Sequence, residues 1–127
     1  MAFKLGVTSR LRLREVHPDL VRVVELALSY SPHDFTITEG RRTLARQKQL
    51  LAAGASQTLK SRHLTGHAID FAVLVAGKVR WDWPLYGPVA DAFKKAAKEL
   101  NVPIVWGGDW VSLRDGPHIE LDRRKYP

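Results

Sequence analysis

Cysteine is absent from the 127-residue chain. That excludes disulfides, thiolate zinc sites and a cysteine nucleophile, and it frees the fold from any redox requirement. Long apolar runs are missing as well. The longest, Phe71 to Ala76, is six residues, against the roughly 18 that a membrane helix needs, and it reads as a buried strand. The opening MAFKLGVTSR contains no apolar h-region, so no secretory signal is expected. Repeats, low-complexity tracts and linkers are also lacking, which predicts a single domain over 1–127.

Acidic residues are the scarcer sign: 13 Asp+Glu stand against 20 Lys+Arg, for a net charge of +7 and a sequence pI near 10.1. Such a surface attracts polyanions, of which nucleic acid and an anionic bacterial envelope are two. The basic residues are spread along the chain rather than clustered, which disfavours a nucleic-acid-binding domain. With 45% hydrophobic and 26% charged residues, the composition is that of an ordinary globular domain.

Periodicity sets out the elements. The first fifteen residues, with Arg10, Arg12 and Arg14, read as an exposed lead-in. A helix is predicted over 18–30, where Leu20, Val23, Val24, Ala27 and Leu28 share a face and Pro18 suits the first helical position. A short strand follows at 35–38, then a helix from about Thr43 as N-cap to Ala53, stopped by Gly54. Residues 55–66 read as a loop. Over 68–75 the alternation of a strand puts Ala68, Asp70 and Ala72 on one face and Ile69, Phe71 and Val73 on the other. A third helix is predicted over 86–100, with further strands at 104–106 and 118–121. Helices early and strands late argue for an α+β domain with a small antiparallel sheet.

Chemistry concentrates in two stretches. The first is Ser61-Arg62-His63-Leu64-Thr65-Gly66-His67-Ala68-Ile69-Asp70 and the second Asp115-Gly116-Pro117-His118. Two imidazoles and a carboxylate on sheet or loop scaffolding suit a zinc site that keeps one coordination position open. A further carboxylate is then needed to accept a proton, and Asp115 lies three residues before His118. The competing reading is a hydrogen-bonded turn with no metal. His67 rivals His63 as a ligand, and residue chemistry alone does not choose between them. His17 and His33 read as capping or surface residues. Arg42, at the end of a strand-turn, carries a permanent charge able to stabilise a developing anion; a surface salt bridge is the plainer alternative. Glu120 shares a strand face with His118 and could orient its ring. Trp81 and Trp83 read as cover for a strand edge or helix start, Trp106 as core packing, and Trp110 as a wall of a cleft.

Ser-x-His-x-x-Gly-x-Ala-x-Asp at 61–70, followed by Asp-x-x-His at 115–118, resembles the zinc peptidases that cut D-amino-acid bonds in bacterial cell walls. That family includes D-Ala-D-Ala carboxypeptidases and dipeptidases and L-alanyl-D-glutamate endopeptidases. The likeness is nearest to the short bacteriophage endolysins. It extends over almost the whole chain, through His17-Pro18-Asp19-Leu20-Val21, Thr38-Glu39-Gly40-Arg41-Arg42-Thr43, Trp81-Asp82-Trp83-Pro84-Leu85-Tyr86 and Trp106-Gly107-Gly108-Asp109-Trp110. The resemblance implies zinc ligands His63, Asp70 and His118, Asp115 as general base, and Arg42 as the group that steadies the oxyanion. It also implies substrate contacts at Ser61, and more loosely at Gln47. His67 matches no ligand.

The expectation is therefore a single zinc-dependent catalytic domain over 1–127, of the hedgehog/D-Ala-D-Ala-peptidase-like α+β type, with its metal in a cleft. Its bond is the L-Ala–D-Glu link of the peptidoglycan stem peptide. Its partners are peptidoglycan and, through the basic surface, anionic envelope polymers. The chain is expected to act as a monomer, without nucleic acid and without a membrane span. It would be made in the host cytoplasm and reach the wall after a separate protein permeabilises the membrane. A D-Ala-D-Ala carboxypeptidase on the same zinc site is the nearest alternative; a nucleic-acid-binding domain and a metal-binding module without catalysis are the others.

Overall fold

Alternation along the strands becomes two unlike faces of one antiparallel sheet. The computed structural model describes residues 3–56, 58, 60–111 and 114–127. Its elements run α1 (Val7–Arg12), α2 (Pro18–Tyr30), β1 (Asp34–Glu39), α3 (Leu44–Ala52), β2 (Ala68–Val75), β3 (Lys78–Arg80), α4 (Trp83–Leu100), β4 (Ile104–Trp106) and β5 (His118–Leu121). Short 3₁₀ turns lie at Arg62–Thr65 and Gly107–Asp109. The strands order as β1-β2-β5-β4, with β3 paired to β2. This is the α+β arrangement expected from the sequence. Residues 57 and 59 of the loop at 55–66 lie outside the described residues.

The core forms where α2 and α4 pack together over one sheet face. Leu20, Val23 and Val24 of α2, Ile69, Phe71 and Val73 of β2, and Val89 and Phe93 of α4 have no exposed surface. Phe71 and Phe35 sit against Phe93, with ring centroids 5.1 and 5.0 Å apart. The Tyr86 hydroxyl is satisfied inside this core, accepting from the Val73 N–H at 3.1 Å and donating to the Arg80 carbonyl at 2.7 Å.

Two expectations need correction. Residues 3–15 of the expected lead-in are not simply exposed: α1 packs on β1, and Leu5, Ser9 and Leu13, with Val16 after them, are buried. The reason is that β1 is a sheet edge, whose free backbone groups need partners. The Ser9 hydroxyl accepts from the Ile37 N–H at 3.0 Å, and Arg12 donates to the Ile37 carbonyl at 2.9 Å. The third predicted helix starts at Trp83 rather than 86, because Pro84 lies in its first turn, where a missing N–H costs nothing.

Candidate active site

The face of the sheet opposite the helical core carries the ionisable groups. β2 and β5 pair with Asp70 directly opposite His118, so the two side chains leave the sheet as neighbours. His63 comes from the 3₁₀ turn ahead of β2. The Ser61 hydroxyl caps that turn by accepting from the His63 N–H at 3.2 Å, and Gly66 closes it at φ 75°. On the other edge, β1 carries a bulge between Ile37 and Glu39, which sets Glu39 opposite Asp70. Bulges of this kind re-aim side chains beside functional sites.

Both imidazoles are fixed by their outer nitrogens. His63 Nδ1 lies 2.9 Å from the Gly40 carbonyl, an acceptor only, so this nitrogen carries the hydrogen. His118 Nε2 lies 2.9 Å from Glu120 Oε1. The inner nitrogens, His63 Nε2 and His118 Nδ1, then face the same oxygen, Asp70 Oδ1, at 3.2 Å each. A bare ring nitrogen against a carboxylate oxygen is repulsive unless a proton or a cation lies between them. One donor atom from each of His63, Asp70 and His118 lies within 4.8 Å of the others. This set of two imidazoles and a carboxylate, each ring oriented from outside, fits a divalent metal of the zinc type.

The electrostatics follow from the contacts. Burial opposes ionisation of Asp70, but the His118 and His63 rings set against its oxygen outweigh it and hold its carboxyl well below the usual range. Burial likewise opposes charge on His118, yet Asp70 and Glu120 push it up to about 9. Asp115 moves the other way: burial and the nearby Asp70 charge raise it, as suits a group that takes up and returns a proton.

Asp115 and His118 share one wall of a cleft of about 740 Å³, with Arg42, Ser61, His63, Asp70, Trp110 and Glu120 also lining it. The wall depends on Gly107, where a Cβ would collide with the Asp115 carbonyl oxygen and stand 3.1 Å from the His118 Cβ. The close approach of the Arg12 backbone to the end of β1 depends on Gly40, whose Cβ would strike the Arg12 carbonyl. Trp110 lies against His118 at 5.1 Å between ring centroids.

Arg42 is held in one orientation. Its guanidinium donates to both Glu39 oxygens at 2.6 and 2.8 Å and to Gln47 Oε1 at 2.7 Å, and stands 3.7 Å from Asp70 Oδ2. Gln47 is fully buried and gives its amide hydrogens to Ser56 and the Thr58 carbonyl. It braces Arg42 from behind and does not face the cleft, which corrects its expected substrate contact. Glu39 was not singled out from sequence, because only the β1 bulge puts it there. Arg62 was also passed over: it lines the cleft, and its Nε is buried without a hydrogen-bond partner among the described residues, 3.9 Å from Glu120. His67, the rival ligand, bonds to Thr65 and packs near His17, and stays outside the metal-type cluster. His17 caps α2 by accepting from the Asp19 N–H.

Comparison with known proteins agrees over the whole chain. A family described as phage L-alanyl-D-glutamate peptidase matches residues 1–124. The chain is 42% identical over 130 residues to the L-alanyl-D-glutamate peptidase of Escherichia phage T5, covering 99% of this chain and 94% of that protein. The crystal structure of the Serratia marcescens L-Ala D-Glu endopeptidase ChiX superposes with a TM-score of 0.94 at 49% identity, covering 99% of this chain and 95% of that one. The vancomycin resistance D,D-dipeptidase VanXYg shares the fold at 20% identity, with a TM-score of 0.54 over 84% of this chain and 50% of that one.

Proposed function

The chain belongs to the phage L-alanyl-D-glutamate peptidase family, and from that membership we propose that it is an endolysin-type endopeptidase that uses zinc to cut the L-Ala–D-Glu bond of the peptidoglycan stem peptide. His63, Asp70 and His118 would hold the metal. The observation that carries the metal assignment is the pair of imidazoles whose outer nitrogens are taken by Gly40 and Glu120 and whose inner nitrogens meet one Asp70 oxygen.

When bound, zinc supplies Lewis acidity that polarises the scissile carbonyl and brings the pKa of water down to about 7. Asp115 accepts the proton of the attacking water on its carboxylate and delivers it to the departing amine of D-Glu. Arg42 steadies negative charge on the carbonyl oxygen. Glu39 and Gln47 hold its guanidinium ready, so little reorganisation is needed as that charge develops. Ser61 and Trp110 border the path of the peptide. The catalytic domain spans 1–127 and works as a monomer, and the +7 charge draws it to anionic envelope polymers. The chain acts on the wall, reached through a membrane opened by another protein, and the outcome is lysis.

Digestion of purified peptidoglycan, followed by mass analysis, tests this reading. The expected products are peptides that begin with D-Glu and glycan that retains L-Ala, with none formed in chelator. Release of terminal D-Ala instead would make the enzyme a carboxypeptidase. Raising salt should weaken adsorption to walls more than cleavage of a soluble muropeptide; equal responses would remove the electrostatic role.

A further inference from the structure

Trp81 and Trp83, at the entry to α4, are 60% and 49% exposed. Val79, two residues before Trp81 on β3, is 46% exposed. Each indole stacks on an inner ring: Trp81 on Tyr86, centroids 6.3 Å apart and planes within 6°, and Trp83 on Trp106, at 6.0 Å and 21°. The inner rings are themselves fixed. Tyr86 is buried with its hydroxyl satisfied, and Trp106 Nε1 donates to the Gly116 carbonyl at 2.8 Å. In the same stretch of chain, Arg80 pairs with Asp82 at 2.6 and 3.0 Å. Neither exposed indole N–H has a hydrogen-bond partner among the described residues. Large aromatic surface held rigidly in solvent marks a binding face.

The Trp83 end of this face lies beside the segment that carries Asp115. Gly116 separates Asp115 from Pro117-His118, and a Cβ on it would stand 3.0 Å from the Trp83 ring. Trp83 is thus one residue away from the Asp115 wall. The substrate supplies the complementary constraint, and here the argument rests on the proposed function. The stem peptide hangs from a lactyl ether on a sugar, and L-Ala is its first residue. Lactyl and L-Ala together span about 7 Å when extended, so a site that cuts after L-Ala meets the sugar at its rim.

We propose that Trp81 and Trp83 form a glycan platform that seats the β-1,4-linked sugar strand of peptidoglycan beside the peptide cleft. The flat C–H face of a pyranose carries slightly positive hydrogens, which suit the negative face of an indole. The hydroxyls at the ring edge meet Arg80, Asp82 and the free indole N–H groups. The half-exposed Arg80–Asp82 ion pair in the same stretch does not suit lipid chains or a dry protein interface, either of which would have to strip its water.

Titration of the intact protein with peptide-free glycan strands, followed by NMR of its four indole N–H signals, tests the platform without any catalysis. Saturable shifts are expected at Trp81 and Trp83, with affinity about tenfold weaker in Trp81→Ala and partly kept in Trp81→Phe. In kinetics, the ratio of the rate on a muramyl peptide to that on the same peptide without sugar should fall by about tenfold in Trp81→Ala. Unshifted indoles, an unchanged ratio, or shifts produced by anionic phospholipid vesicles and not by glycan would each overturn the platform. Failure of the zinc-loaded protein to cut either the muramyl peptide or the sugar-free peptide would overturn the peptidase reading instead, while glycan binding would still be read directly by NMR.

Discussion

The two faces of the central strands are built from the same backbone and do opposite things. On one face of β2 and β5, Ile69, Phe71, Ile119 and Leu121 have no exposed surface and close the core against the helices. On the other, Asp70, His118 and Glu120 are drawn into one network of hydrogen bonds. Neighbouring residues therefore belong to a dry hydrocarbon interior and to a charged cleft. Because the side-chain period is two, a slip of one residue in the pairing of β2 with β5 would exchange the faces and bury every charge. The apolar face specifies the register, and the register sets the ligand geometry.

Substitutions on each face should separate these roles. Asp115→Ala is expected to lower hydrolysis by about 10²–10⁴-fold while metal content and melting temperature stay as in the parent; an active variant would show that another group takes the proton. Phe71→Ala, from the opposite face, should cost about 3–5 kcal/mol of stability, with activity per folded molecule preserved in the cold. Equal loss of activity and stability in both variants would erase the distinction between the faces.

Glu120→Gln addresses the boundary, since Glu120 touches His118 and no other proposed ligand. Metal affinity should weaken by about 10–100-fold, measured by competition with a chromophoric chelator. The smallest effect concerns pH. In the metal-free protein His118 holds its proton up to about 9, above the ordinary value of about 6.5. That proton stabilises the metal-free fold fully below about 6.5, and the contribution disappears as pH rises through 9. A metal must displace it, so apparent affinity should climb about tenfold per pH unit from neutrality and level off above about 9. Calorimetry in buffers of different ionisation enthalpy would read the released proton, and zero release at pH 7.5 would show that His118 is already neutral.

The alternation over 68–75 was legible because a strand needs only a period of two, and it correctly set Asp70 apart from Ile69 and Phe71. The apolar spacing of α2 and the Thr43 cap of α3, whose hydroxyl accepts from the Arg46 N–H, were readable for the same local reason. Long-range choices were not. Nothing in the spacing of His63 and His67 said which ring turns inward; the 3₁₀ turn and the Gly40 carbonyl decide that. Gln47 looks like helix surface until Arg42 is laid over it. The α1 segment lacks a clean apolar stripe because Ser9 and Arg12 meet a strand edge through hydrogen bonds, a partner invisible in its own sequence.

The last strand of the chain lies in the middle of the sheet, between β2 and β4. Until residues 118–121 have left the ribosome, the sheet stays split and the third candidate metal ligand does not exist. Closure of the sheet and completion of the candidate donor set are therefore one event, because the same short strand joins β2 to β4 and carries His118.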